Sequence, residues 1–292
     1  MRLTTGTRLH FGLLALGGPR RFGGVGLMID SPSLTLTATP AAAWQAEGPL
    51  AERALHFAQC FDVSPHRLHI EAAPPEHSGF GTGTQLALAV GRVLTSLPLE
   101  QIIARTGRGQ RSAIGTHGFA QGGLLVDGGR KDGIAPLLAR YTFPEEWRIV
   151  VALPATPAGL SGPAEVGAFA RLRGNRNHTD DLCRLTLLGM LPAVLEHDLP
   201  AFTAALGEYN AKSGELFAPV QGGPYTSGPV SELIAHIRGL GFEGVGQSSW
   251  GPAVFTVTQS DRAEWLHAQL ADRVAEIWLA RPRNHGALLE PC

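Results

Sequence analysis

The densest run of residues able to do chemistry is His77-Ser78-Gly79-Phe80-Gly81-Thr82-Gly83-Thr84-Gln85. Glycine at every second position lets the chain reach backbone conformations closed to other residues. Successive N–H groups can then converge into an anion-binding nest. Leu86, Val90, Val93, Leu94 and Leu97 follow at helical spacing, so the run opens a helix. That helix begins without charged residues, which leaves its positive N-terminus available to an anion. Ser78, Thr82 and Thr84 add hydroxyls for phosphate oxygens or a metal. The run is not a Walker loop, since no Gly-Lys-Ser/Thr follows, and its glycine spacing differs from the dinucleotide fingerprint. A tight structural turn is the plain alternative, but it rarely needs so many small residues in a row.

Two further glycine-rich clusters carry polar residues. The first is Arg108-Gly109-Gln110-Arg111-Ser112-Ala113-Ile114-Gly115-Thr116-His117-Gly118-Phe119. Its plain reading is a mobile loop with solvated arginines and a structural histidine. The second is Gly244-Val245-Gly246-Gln247-Ser248-Ser249-Trp250-Gly251-Pro252. On these residues alone a hairpin corner with Trp250 in the core is as good a reading as a site. Asp127, in Val126-Asp127-Gly128-Gly129, is either a metal ligand or, more commonly for Asp-Gly, a turn residue. Asp30 closes a strand before Ser31-Pro32 and is equally ambiguous.

The elements that must position these residues can be read from periodicity. Leu3 to Leu16 and Gly24 to Thr39 read as paired strands. Leu34, Leu36 and Ala38 alternate with Thr35, Thr37 and Thr39. Between them, Gly17 to Gly24 is a glycine-rich loop carrying Arg20 and Arg21. Leu50 to Phe61 is expected to be a helix with Ala54, Leu55, Ala58 and Phe61 on one face. His66 to Ala72 alternates as a half-buried strand, and Leu99 to Arg105 is a second helix. Gly123 to Asp127 and Arg148 to Leu153 are strands. Farther on, Thr179 is expected to cap a helix with Asp180 and Asp181 in its first turn and Leu182, Leu185 and Leu188 on its apolar face. Pro192 kinks or ends it. Helices around Phe202 to Tyr209, Val230 to Leu240 and Asp261 to Arg273 alternate with strands Val254 to Val257 and Ala275 to Ala280. Helices and strands mix without a βαβ period, so the class is α+β. The proline- and glycine-rich stretch Pro154 to Pro163 is the expected boundary between domains 1–153 and 154–292.

Composition narrows the classes. The chain has 292 residues, 44% of them hydrophobic, and a net charge of -1. That is globular composition with no global field to recruit nucleic acid or anionic lipid. Apolar runs such as Leu185 to Leu191 are too short to span a bilayer, and the N-terminus lacks the features of a signal peptide. Cys60, Cys183 and Cys292 are odd in number and widely spaced, which fits a reducing, cytoplasmic setting. Of 24 basic residues only Lys131 and Lys212 are lysines. Anion recognition must therefore rest on arginine and backbone N–H groups.

Taken in order, the clusters resemble the GHMP superfamily of small-molecule kinases. Pro75 and Gly79-Phe80-Gly81-Thr82-Gly83-Thr84 match its phosphate loop, with Gly83 replacing the second serine. Gly246 to Val254 matches its C-terminal motif. Within that superfamily the sequence is most similar to the β-ribofuranosylaminobenzene 5′-phosphate synthase family. The resemblance covers nearly the whole chain through Arg8-Leu9-His10-Phe11-Gly12-Leu13-Leu14, Phe22-Gly23-Gly24-Val25-Gly26-Leu27, His77 to Ala89, Arg108 to Gly129 and Val220-Gln221-Gly222-Gly223.

The resemblance implies a GHMP-kinase-like fold of two layered α+β domains, with mixed or antiparallel sheets covered by helices. It implies a transferase that joins phosphoribosyl pyrophosphate to 4-hydroxybenzoate or 4-aminobenzoate, releasing carbon dioxide and pyrophosphate toward tetrahydromethanopterin, a one-carbon carrier. It also implies magnesium, with no ligands that can be named, and by analogy a homodimer. The catalytic candidates are Arg8, His10, Arg20, Arg21, Arg111 and His117. The phosphate-binding candidates are His77, Ser78, Gly79, Phe80, Gly81, Thr82, Gly83, Thr84 and Gln85. The substrate-binding candidates are Gly24, Gly26, Gly115, Thr116, Ser248, Ser249, Trp250 and Gly251. Arg21 is expected to matter more to turnover than Arg173, which lies outside the matching runs.

Two departures bear on mechanism. GHMP kinases with a catalytic aspartate place it in a Ser-Gly-Ile-Asp-like segment, where this chain has Ser112-Ala113-Ile114-Gly115. Glycine cannot accept a proton from an attacking alcohol, which weakens a kinase reading without excluding it. Archaeal members of the synthase family carry an acidic residue where this chain has Ala15, so a carboxylate at that position plays no part here. An ATP-dependent kinase and a non-catalytic phosphate-ligand-binding protein are the alternatives from other classes.

Overall fold

The architecture is that of a computed structural model, which describes residues 1–156, 159, 167–169, 171, 172, 174 and 176–291. Much of the segment 154–163, and Arg173 and Cys292, lie outside the described residues.

Two sheets organise the chain. Strands β1 (Arg2–Leu13) and β2 (Gly24–Pro40) pair antiparallel and form the spine of a seven-stranded sheet. The first part of β2 also pairs with β5 (Leu124–Asp127), and its later part with β4 (His66–Ala72). β3 (Gln45–Glu47) adds parallel to β4, β6 (Leu137–Tyr141) adds antiparallel to β5, and β11 (Leu288–Glu290) closes the far edge on β1. The four-stranded sheet runs β10 (Glu276–Ala280), β7 (Trp147–Leu153), β9 (Val254–Gln259) and β8 (Val245–Gln247). The alternation seen in β2 is a burial pattern: Leu34, Leu36 and Ala38 enter the core. Asp30 does not end a strand. β2 runs through it, and its carboxylate accepts from the Arg281 N–H.

Helices cover these sheets in layers. α1 (Ala51–Ala58), α2 (Thr82–Leu94) and α3 (Leu99–Thr106) pack on one face of the large sheet through Leu36, Ile70, Leu86, Val90 and Ile102. In α1 the buried face carries Phe57 in place of Leu55, which is only partly buried. The other face of the large sheet shares a core with the small sheet. There Leu9, Phe11 and Val25 meet Ile149, Val151 and Phe255 around the helix Leu199–Glu215. α4 (Ile114–Gln121) lies in the stretch read as a mobile loop. Its start is set by Asp127, which accepts from the Ala113 N–H at 2.8 Å and from the Ser112 hydroxyl at 2.7 Å. This cap comes from a residue fourteen positions away, so local sequence did not announce it. Asp127 is thereby committed to capping and to the Gly129 N–H.

The region around Thr179 also differs from expectation. The helix Arg176–Arg184 runs through Thr179, so that residue does not cap it. Asp181 instead pairs with Lys212, and Asp180 with Arg176 one turn earlier. Next comes a π-helical turn, Leu185–Met190, then the short helix Leu191–Leu195 with Pro192 in its first turn. The wider turn rotates the helix face. Leu182 and Leu185 are buried, but Leu188 is 78% exposed.

One side of the helix Leu199–Glu215 is polar and buried. The Tyr209 hydroxyl donates to the Gly12 carbonyl, the Asn210 amide to Phe11 and Gln247 carbonyls, and Ser213 to the Leu13 carbonyl. Asn210 also accepts from the Gln247 N–H. One side chain thus clamps the end of β1 in the large sheet to β8 in the small one. Asn210→Ala leaves these buried backbone groups unpaired and should cost about 2–3 kcal/mol, read as a lower urea midpoint with an unchanged slope.

Candidate active site

Three chain segments distant in sequence converge on one carbonyl oxygen. Arg8 and His10, two apart on β1, lie on the same side of the strand. The Arg8 guanidinium donates to the Gly79 carbonyl at 2.6 Å, and the Ser248 hydroxyl donates to the same oxygen at 2.8 Å. Ser248 in turn accepts from the His10 N–H at 3.0 Å. Gly251 completes the contact: a Cβ there would fall 2.0 Å from the Gly79 nitrogen. Gly79 and Gly81 have φ of +95° and +70°, where side chains are strained.

The loop then enters α2 uncapped. No side chain caps this N-terminus, and its first turn holds no acidic residue. Gln85, fully buried, accepts from the Thr5 hydroxyl and donates to the Gly115 carbonyl. Gly115 faces Thr84 and Arg8, so the position that is acidic in many kinases brings no carboxyl here.

A cavity of about 520 Å³ opens beside this junction. Its wall includes Arg8, His10, Thr84, Arg108, Arg111 and Ser249, and among the described residues that line it there is no Asp or Glu. Phe169, Phe217 and Trp250 form an aromatic cluster on one side, with ring centroids 4.7–5.9 Å apart. The Arg111 guanidinium lies 4.8 Å over the Phe169 ring. Trp250 is both buried and cavity-lining, so its two readings coincide.

His10 is 4% exposed, and its Nε2 is buried without a hydrogen-bond partner. Its ring lies over Gly24, where a Cβ would fall 2.9 Å from Nε2. Burial, reinforced by the Arg8 charge, holds its pKa well below the ordinary 6.5, so the imidazole is neutral at neutral pH.

Several predicted residues stand away from the cavity wall. Phe80 is fully buried, edge-on to Trp278 at 5.4 Å. Ser78 and Thr82 donate to the nearby Glu76 and Pro75 carbonyls. Gly83 is covered by the Arg53 guanidinium, and His77 passes the chain on in a left-handed conformation. Gly26 lies under Ile114, and Thr116 donates to the Ala113 carbonyl within α4. His117 is held by the Ala135 carbonyl at 2.8 Å. Arg20 donates to the Gly129 carbonyl, and Arg21 is exposed beside Phe22. Sequence reasoning missed the wall residues Phe169, Phe217 and Asn210, and it gave Gln247, in the third cluster, no role. Their only signal is buried polarity and aromaticity on separate elements.

Among the described residues no group of three His, Cys, Asp or Glu could hold a metal ion. The described wall residues bring no carboxylate and so do not by themselves make a resident magnesium site. No described helix is long and apolar enough to cross a membrane. Cys60 and Cys183 are free thiols.

Solved structures define the class. A putative homoserine kinase from Listeria monocytogenes matches with a TM-score of 0.66 at 17% identity, covering 98% of each chain. Mevalonate pyrophosphate decarboxylase from Streptococcus pyogenes matches with a TM-score of 0.67 at 10% identity, covering 100% of this chain and 98% of that one. The fold is therefore the GHMP-kinase α+β fold. No family model matches the chain. Three curated relatives do, all called β-ribofuranosylphenol 5′-phosphate synthase. The Archaeoglobus fulgidus protein is 32% identical over 99% of both chains, and that of Methanothermobacter thermautotrophicus 30% over 98% of both. The chain belongs to the β-ribofuranosylphenol 5′-phosphate synthase family of transferases.

The state of His10 makes a stability prediction. Its folded pKa lies below its unfolded one, so the unfolded chain binds more protons as pH falls. The contribution is whole above the ordinary histidine value of about 6.5 and is lost below it. The urea midpoint should drop between about pH 7.5 and pH 5.5, and His10→Gln should lessen that drop. Equal pH slopes in both proteins would contradict a buried neutral imidazole.

Proposed function

We propose that this chain joins phosphoribosyl pyrophosphate to 4-hydroxybenzoate, with loss of carbon dioxide and pyrophosphate. The observation that carries the reading is a cavity lined by three arginines, with no carboxylate among its described wall residues, set beside an uncapped glycine-loop helix start and an aromatic wall. Family membership supports the reaction type. The relatives' name specifies a phenol, which favours the hydroxy acid over 4-aminobenzoate as acceptor.

The donor's diphosphate sits at the glycine loop, where amides and the α2 N-terminus stabilise the charge that grows as it leaves. The aromatic acceptor lies against Phe169, Phe217 and Trp250, and Arg111 holds its carboxylate. The ring carbon bearing the carboxylate attacks the anomeric carbon of the sugar. A carbon–carbon bond forms as the carbon–oxygen bond to diphosphate breaks. The electron pair of the ring–carboxylate bond then returns to the ring, carbon dioxide leaves, and aromaticity is restored. The para hydroxyl feeds electron density into the ring, and in this proposal the neutral His10 imidazole of the cavity wall is its hydrogen-bond partner. Magnesium belongs to this proposal only as the counter-ion that the diphosphate brings with it. A cytoplasmic place and a role toward tetrahydromethanopterin follow from the same reading.

Incubation with magnesium, phosphoribosyl pyrophosphate and carboxyl-labelled 4-hydroxybenzoate should release labelled carbon dioxide. A parallel assay with ATP should show no depletion. ATP turnover without released label would favour the kinase reading.

Gly81 tests the loop. A side chain there is strained at φ +70°, and its Cβ would press on the Arg8 stem at 2.9 Å. Gly81→Val should abolish donor binding in calorimetry while circular dichroism stays native. Unchanged affinity would remove the loop from the site.

A further inference from the structure

We infer that Arg108, which none of the roles above uses, grips the phosphate groups of the ligand beside the glycine loop, with Arg53 behind it. This rests on the reading of the cavity as a site for a phosphorylated donor, and it adds a phosphate-gripping residue to that site.

Arg108 follows α3 in a backbone fixed by left-handed glycines on both sides, with φ of +64° at Gly107 and +71° at Gly109. Its side chain is half-buried and lines the cavity. Among the described residues its guanidinium makes no ion pair and no hydrogen bond, and its Nε is buried without a partner. What holds it is the Phe57 ring, 4.8 Å from the guanidinium carbon.

A second guanidinium lies near the same ring. Arg53 is 5.8 Å from the Phe57 centroid, and a Cβ on Gly83 would fall 2.3 Å from its Nη2. Arg53 therefore touches the first turn of α2. The two cations sense each other: burial and then the Arg53 charge pull the Arg108 pKa below its ordinary value. Glu76 neutralises Arg53. No described carboxylate pairs with Arg108, and Cys60 is the one described group that offsets this lowering.

Proteins rarely bury charge without a partner. A guanidinium held in a cavity wall, next to a second cation and an uncapped helix start, is stabilised when an anion fills the space. A planar guanidinium fork suits the paired oxygens of a phosphate. Thr84 shares that wall and belongs to the loop. The ligand chemistry is therefore a diphosphate or phosphate ester, met by Arg108 in the same wall as Thr84.

Calorimetry of the full chain with inorganic pyrophosphate tests this directly. Arg108→Gln should weaken binding about tenfold or more and flatten its salt dependence. Arg108→Lys should recover part of the affinity, because charge returns without the fork. Arg105→Gln, an exposed arginine on α3, should bind as wild type does. Thermal melts of each variant should coincide. If Arg108→Gln melts early, Arg108→Lys carries the test, with about threefold weaker binding expected. Wild-type affinity in both Arg108 variants, or no pyrophosphate binding by the wild type, overturns the inference. If Arg108→Gln loses pyrophosphate yet the wild type releases no label from the benzoate, the transfer reading falls and the phosphate site stands. If label is released normally by Arg108→Gln with an unchanged donor KM, the transfer stands and the role of Arg108 falls.

Discussion

The Gly79 carbonyl oxygen is the point on which the site depends. It accepts from Arg8 on β1 and from Ser248 at the end of β8, and so joins both sheets to the loop that opens α2. The contact demands glycine at two places. Gly251 stacks its backbone on the Ser78–Gly79 peptide, and Gly79 lies against the Ser248 carbonyl. A side chain at either would part the segments by the width of a methyl group.

Charge is arranged around this junction with unusual one-sidedness. Arginines line the cavity, and none of the described residues in its wall is acidic. The nearby carboxylates are committed elsewhere: Asp127 caps α4, and Glu76 pairs with Arg53. At the position where many kinases carry an acid, Gly115 presents only backbone. In the proposed reading the described wall stabilises an anion that departs, and none of its described residues is a carboxylate base for an alcohol. The same scaffold that serves phosphoryl transfer in its structural neighbours thus supports different chemistry through the side chains it carries.

How much was legible can be argued from particular residues. The strand alternation of Leu34, Leu36 and Ala38, and the passage from glycine loop to helix at Thr82, were readable because they obey local periods. The start of α4 was not, because its cap is supplied by Asp127 from another strand. Leu188 was misplaced because a π-turn shifts the helix face by a residue, and no local pattern marks such a turn. The aromatic wall was missed for a related reason. Phe169, Phe217 and Trp250 belong to separate segments, and only packing brings their rings together.

The amino-acid sequence by itself settled the α+β class, the glycine conformations of the loop and the reliance on arginine, since all three follow from residue type and spacing. Tertiary structure alone decided which arginines share a cavity and which lie outside it. Arg8 and Arg111 line the wall, whereas Arg20 and Arg21, just as prominent in sequence, are drawn off toward the Gly129 turn and solvent. The physical reason is that a side chain's partner is chosen by the folding of distant strands onto one another, and spacing along the chain does not encode that distance.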